Sequence, residues 1–153
     1  MNKEEILTHQ QTYQSWLETL KDMPEELAAA PYSEGKWSPK EILMHMAEWD
    51  RYTREERLPH MKEGAELKDI PFEPFNERAA EEGRKRTFAE IIEYAKTERQ
   101  KVHQHLLGID ETEWTKEFKI GNDPMTILHY FADFVWHDNH HKEQIESVRH
   151  TSV

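Results

Sequence analysis

The chain has 153 residues, of which 31 are acidic and 20 basic, and its formal charge of -11 disfavours nucleic acid and anionic membranes, whose affinity depends on Lys and Arg neutralising phosphate. The absence of cysteine excludes disulfides, thiolate metal sites and a protein thiol nucleophile, so any metal must be bound through nitrogen or oxygen, and ten histidines are the first place to look. A hydrophobic fraction of 36% beside a charged fraction of 33% suits one domain, residues 1–153, built from amphipathic helices with solvated outer faces. With no apolar run long enough to span a bilayer and no signal segment after Met1, the expected location is the cytoplasm.

Along the chain, Ile6, Tyr13, Trp16, Leu17 and Leu20 recur at helical spacing and predict a first helix over about residues 3 to 21, ended by Pro24. Ser38-Pro39-Lys40-Glu41 is a capping box with Pro at the first helical position. The second helix therefore starts there, carries Ile42, Met46, Trp49 and Thr53 on one stripe, and ends near Leu58. Residues 59 to 75 hold three prolines and read as a long crossover, with a short helix expected over Asn76 to Arg84. Thr87-Phe88-Ala89-Glu90 reads as another capping box, opening a third helix that stops at Gly108. Residues 110 to 122 read as a connection, Gly121-Asn122 as a turn, and Asp123-Pro124 as the start of a last helix carrying Ile127, Phe131, Val135, Ile145 and Val148. Four long helices with one crossover predict an all-α bundle whose neighbours are not all consecutive in sequence.

On the last helix, His137 and His141 are four residues apart, which puts their Cβ atoms about 5 to 6 Å apart on one face, where two imidazoles can share an ion. At about 100° per residue they border the apolar stripe in line with Tyr130 and Gln144, while His140 points away. The same wheel sets His45 at the stripe edge of the second helix beside Trp49 and Tyr52, as a third ligand. Three neutral imidazoles with a free fourth position make the donor set of a catalytic, not a closed structural, metal site. Taken singly, each of these histidines reads as an ordinary polar residue on a helix flank. Carboxylate-bridged two-metal motifs and the H-E-x-x-H motif are both absent, because no histidine has Glu three residues before it and residue 138 is Asp.

Two segments resemble the DinB-like (DinB/YfiT) superfamily of metal-dependent bundle proteins. Trp37-Ser38-Pro39-Lys40-Glu41-Ile42-Leu43-Met44-His45 is similar to its tryptophan-capped helix leading into a first histidine, and His137-Asp138-Asn139-His140-His141-Lys142-Glu143-Gln144-Ile145 to its paired histidines. Many members carry Arg-Gly where this chain has Lys142-Glu143. The resemblance implies a four-helix bundle of up-down-down-up topology with a long crossover between helices two and three, metal ligation by His45, His137 and His141, and a homodimer. It implies no DNA contact.

Some family members transfer low-molecular-weight thiols to electrophiles, so the expected function is thiol-dependent S-transferase chemistry on a small molecule, with one divalent ion and an external thiol as cosubstrate. Zinc is the default ion, and nickel, iron and manganese accept the same ligands. The alternatives are a hydrolase that activates water at the metal, and a metal-binding stress-response protein without turnover. Asp138 and Glu48 are the candidate catalytic carboxylates; their ordinary roles are to orient an imidazole and to face water, respectively. Trp49 and Tyr52 are candidate pocket residues whose ordinary role is core packing, while His9, His60, His103, His105, His129 and His150 read as solvated.

Overall fold

A computed structural model describes the backbone of residues 1–151 and the side chains of residues 1–150. Four long helices, α1 (Lys3–Thr19), α3 (Pro39–Tyr52), α5 (Phe88–Leu107) and α6 (Ile127–Thr151), make the bundle; a short α2 (Glu25–Ala28) follows α1, and α4 (Phe72–Lys85) lies in the crossover. Capping chemistry sets the helix starts. Asn2 and Glu5 form a capping box on α1 that the hydrophobic pattern alone did not reveal, and Ser38 and Glu41 form the one expected on α3. At α5, Thr87 accepts from the Glu90 amide and its hydroxyl donates to the Glu90 carboxylate, but that carboxylate does not cap the Thr87 amide, so only half of the expected box forms.

Side-chain pairs give the helix directions. His9 meets Asp138 and Trp16 meets Glu146, so α1 and α6 run parallel. Glu48 meets Tyr94 and Arg54 meets Glu98, so α3 and α5 also run parallel. Thr53 meets Tyr130 while His45 meets His141, so α3 and α6 are antiparallel, which makes the topology up-down-down-up. α1 contacts α5 and α6, and α3 contacts the same two, leaving the sequence neighbours α1 and α3 diagonal across the bundle.

Two apolar clusters fill the bundle, one around Leu17, Ile42, Ile91 and Ile145, the other around Ile6, Val102, Phe131 and Val135. Between them lies a polar layer with one buried residue or pair from each helix: Gln10 and Tyr13 from α1, Asp50 from α3, Arg99 from α5 and Asp138 from α6. Gly83 lets α4 lie directly on α3, since a Cβ there would stand 2.9 Å from the Lys40 carbonyl oxygen and 3.0 Å from the Met44 Cβ. No helix among the described residues is long and apolar enough to cross a membrane.

Two expectations change. The crossover helix begins at Phe72 rather than Asn76, because Pro74 falls in its first turn, where the backbone N–H would have no intrahelical partner in any case. Asp123-Pro124 does not open the last helix. Gly121, at φ +62°, turns the chain so that β2 (Phe118–Ile120) pairs antiparallel with β3 (Asp123–Met125), and β1 (Glu66–Leu67) adds parallel to β2. Pro124 is tolerated because β3 is an edge strand. The helix starts instead behind Thr126, whose hydroxyl accepts from the His129 amide at 3.0 Å. The small sheet buries Leu67, Phe118 and Ile120 in the second cluster.

Candidate metal centre

His45, on α3, is almost fully buried under the Trp37 ring, with ring centroids 5.2 Å apart. His137 and His141 reach it from one face of α6, and ligand atoms from all three rings lie within 4.8 Å of one another. The Nε2 atoms of His137 and His141 are 3.2 Å apart. Two nitrogens on a tetrahedral zinc at its usual bond length stand about 3.3 Å apart, so this pair already has the spacing of two ligands.

Electrostatics favour the neutral, metal-binding form of each ring. Burial, reinforced by the neighbouring His141 and His137 imidazoles, pushes His45 down to about 3. Burial and His137 likewise bring His141 down to about 4, and burial lowers His137. Gln144 fixes the tautomer of His141: its amide nitrogen donates to the Tyr32 hydroxyl at 3.2 Å, and its Oε1 accepts from His141 Nδ1 at 2.7 Å. The lone pair of His141 therefore sits on Nε2, facing His137. His45 Nδ1 is buried without a hydrogen-bond partner among the described residues, so a polar atom at the cluster is left unsatisfied by the protein itself. Three neutral imidazoles, one with its tautomer fixed and one with a buried unsatisfied nitrogen, fit a divalent ion.

The family model of the DinB superfamily matches residues 8–145, which include all three histidines, the whole of α3 and α5, and most of α1 and α6. The chain belongs to the DinB superfamily. Its fold is that of YfiT from Bacillus subtilis, a solved structure described as a probable metal-dependent hydrolase with an unusual four-helix bundle topology. The two share 14% identity at a TM-score of 0.82, over 98% of this chain and 87% of the other. No curated protein matches the sequence.

Within this DinB-like bundle, a cavity of about 370 Å³ opens beside the triad and is lined by His45 and His137 together with Trp49, Arg57, Asn76 and Tyr130, among others. Trp49 is held there by its indole N–H, which donates to Asn76 Oδ1 at 2.7 Å. Tyr52 lines a separate cleft beyond Arg57 and packs edge-on against Trp49 at 5.6 Å. The two candidate carboxylates are engaged elsewhere. Glu48 accepts from the Tyr94 hydroxyl at 2.6 Å and from Arg51, on the side of α3 facing α5, so it is only partly open to water. Asp138 turns away from the triad, and both its oxygens accept from Arg99, at 2.7 and 2.9 Å. The imidazole that Asp138 touches is His9, with Nε2 2.8 Å from Oδ2, so His9 is not solvated as its sequence position suggested. Arg57, Asn76 and Gln144 had no assigned role in the sequence. Only Gln144 left a trace there, being in line with the two histidines.

Proposed function

We propose that this protein is a metal-dependent enzyme acting on small molecules, and that its reaction is transfer of an external thiol to an electrophile. The observation that carries the reading is the convergence of His45, His137 and His141 on one point beside a cavity wide enough for a small substrate. A divalent ion held there supplies one chemical service, lowering the pKa of a coordinated thiol or water. The chain's own residues hold the ion in neutral imidazoles, fix one ligand's tautomer through Gln144, and shield the His45 side with Trp37. Thiol transfer is supported by what surrounds the triad: Asp138 and Glu48, the candidate proton acceptors, are both taken up in other contacts, and a coordinated thiol needs no protein base to lose its proton.

Hydrolysis is the second reading, favoured by the description of YfiT and by the Asp69, Asp123 and Asp133 carboxylates that line the cavity and can accept a proton from water. The test is metal analysis of untagged protein, followed by parallel assays of thiol consumption with an electrophile panel and of ester and phosphoester cleavage, each with zinc, nickel, manganese or iron(II). Thiol-dependent turnover that disappears in His45→Ala and His137→Ala along with the bound metal is expected. Hydrolysis without thiol dependence would select the second reading, and unchanged metal content in both variants would remove the site.

A further inference from the structure

Arg57 is 8% exposed, yet no ion pair to it occurs among the described residues. Its Nη1 donates to the Tyr130 hydroxyl at 3.1 Å, and its Nε is buried with no partner. The charge is met instead by aromatic faces: the guanidinium carbon lies 5.1 Å from the Tyr52 ring centroid and 5.7 Å from those of Trp49 and Tyr130. Cation–π contacts offset only part of the cost of removing a charge from water, so this guanidinium is placed for an anion that the chain does not provide. Backbone geometry delivers it. After Tyr52 the second bundle helix widens into a π-helical turn over Thr53–Arg57, closed by the Leu58 amide on the Thr53 carbonyl. Such a turn inserts a residue and rotates those that follow, and π-bulges recur at functional sites.

Arg57 lines the cavity that also contains His45 and His137. We infer that Arg57 anchors a carboxylate carried by the substrate, with the substrate's reacting group at the histidine triad; this rests on the triad being a small-molecule metal site. The remaining lining defines the rest of the molecule. Phe72, Phe134 and Met125 offer apolar contact, so the substrate has an apolar body next to its acid group. Asp69, Asp123 and Asp133, exposed at the same cavity, oppose a second or third negative charge. One cation among three rim carboxylates selects a monocarboxylate over a dianionic phosphate or a polyphosphate, and the planar guanidinium matches a carboxylate in two-point geometry.

The test is calorimetric titration of zinc-loaded protein at pH 7 with phenylacetate and with its neutral isostere phenylacetamide. In the wild type the acid is expected to bind at least about 10-fold more tightly than the amide, the scale of a charge-assisted hydrogen bond. In Arg57→Met, which keeps the apolar stem, the two are expected to bind within about 3-fold of each other while zinc content is unchanged. His45→Ala separates this inference from the metal reading. There, loss of zinc with the acid preference retained supports Arg57 as anchor, whereas a preference lost in His45→Ala and kept in Arg57→Met would put the carboxylate on the ion and overturn the inference. Equal binding of acid and amide to the wild type, or binding of neither up to about 10 mM, the weak end of the affinity scale, would also overturn it. Because that comparison uses the wild type alone, it stands even if Arg57→Met does not fold.

Discussion

Replacing Arg99 with Met should destabilise the bundle as much as one of the larger truncations of its apolar core. The side chain is fully buried and makes five polar contacts: Nε and Nη2 to the two oxygens of Asp50 at 2.8 and 3.0 Å, Nη1 and Nη2 to those of Asp138 at 2.7 and 2.9 Å, and Nη1 to Gln10 at 3.2 Å. Its face also lies 3.7 Å from the Tyr13 ring centroid. Met refills much of the volume but leaves two buried carboxylates without their cation, and breaking a buried pair in this way costs about 3 to 5 kcal/mol. For a chain of this size that corresponds to a fall of about 6 to 20 °C in melting temperature. The loss should be read by urea unfolding followed by circular dichroism. Burial drives Asp50 up to about 6, while Arg99 and His9 hold Asp138 below its ordinary value against burial. Without Arg99 both carboxylates should protonate more readily, so the deficit against wild type should shrink between pH 7 and pH 5. A loss below about 1 kcal/mol, the range of an exposed pair, or a deficit that does not change with pH, would refute the account of this layer.

Two further outcomes follow from the triad. Removing the Gln144 amide in Gln144→Leu frees the tautomer of His141, and zinc affinity measured by competition with a chromophoric chelator should fall about 10- to 100-fold with the fold intact; unchanged affinity would show that Gln144 does not orient the ligand. In EDTA-treated protein, His45 and His141 titrate in the folded state at about 3 and 4, below their ordinary value, so the unfolded chain takes up protons first as pH falls. Stability is then full above the unfolded histidine range and lost as pH drops toward 4, at up to about 1.4 kcal/mol per pH unit for each group. Asp50, raised to about 6, works in the opposite sense over part of that window and offsets one group's share. The melting temperature should still fall between pH 7 and pH 5, and a flat or rising profile would refute the buried neutral histidines.

The parts of this molecule that could be read from sequence are those governed by local chemistry. Ser38 and Glu41 announced the start of α3 because a capping box is complete within four residues. His137 and His141 could be placed on one face because helical spacing decides it. The sheet was not anticipated, since β1 to β3 have only two or three residues each, too few for a period to emerge. A signal was present all the same: Phe118 and Ile120 alternate with Lys119 directly before Gly121-Asn122, which is hairpin chemistry. Asp123-Pro124 imitates a helix start so well that only the pairing with β2 tells the two apart. The polar layer was hidden for a different reason. Gln10, Asp50, Arg99 and Asp138 come from four helices, and nothing in the spacing within any one helix says that the other three will meet it. Arg57 was hidden twice, by its place in the charged run Arg54-Glu55-Glu56-Arg57 and by a π-helical turn that a wheel at 100° per residue does not describe.

The polar layer and the triad are joined through adjacent residues of α6. His137 and Asp138 are about 100° apart around the helix, so one meets the cavity and the other the buried guanidinium. A rotation of α6 that carried His137 away from His45 would also pull Asp138 from Arg99, and a slide of one turn would break the contacts to Arg99 and His9 together. Buried ion pairs of this kind are weak sources of net stability, because desolvation cancels much of their attraction. What this one does is make a single rotation and height of α6 far better than its neighbours, something that two interchangeable apolar clusters above and below cannot do. The geometry of the metal centre is therefore set from behind: Asp138, which touches no ligand of the triad, fixes where two of the three imidazoles stand.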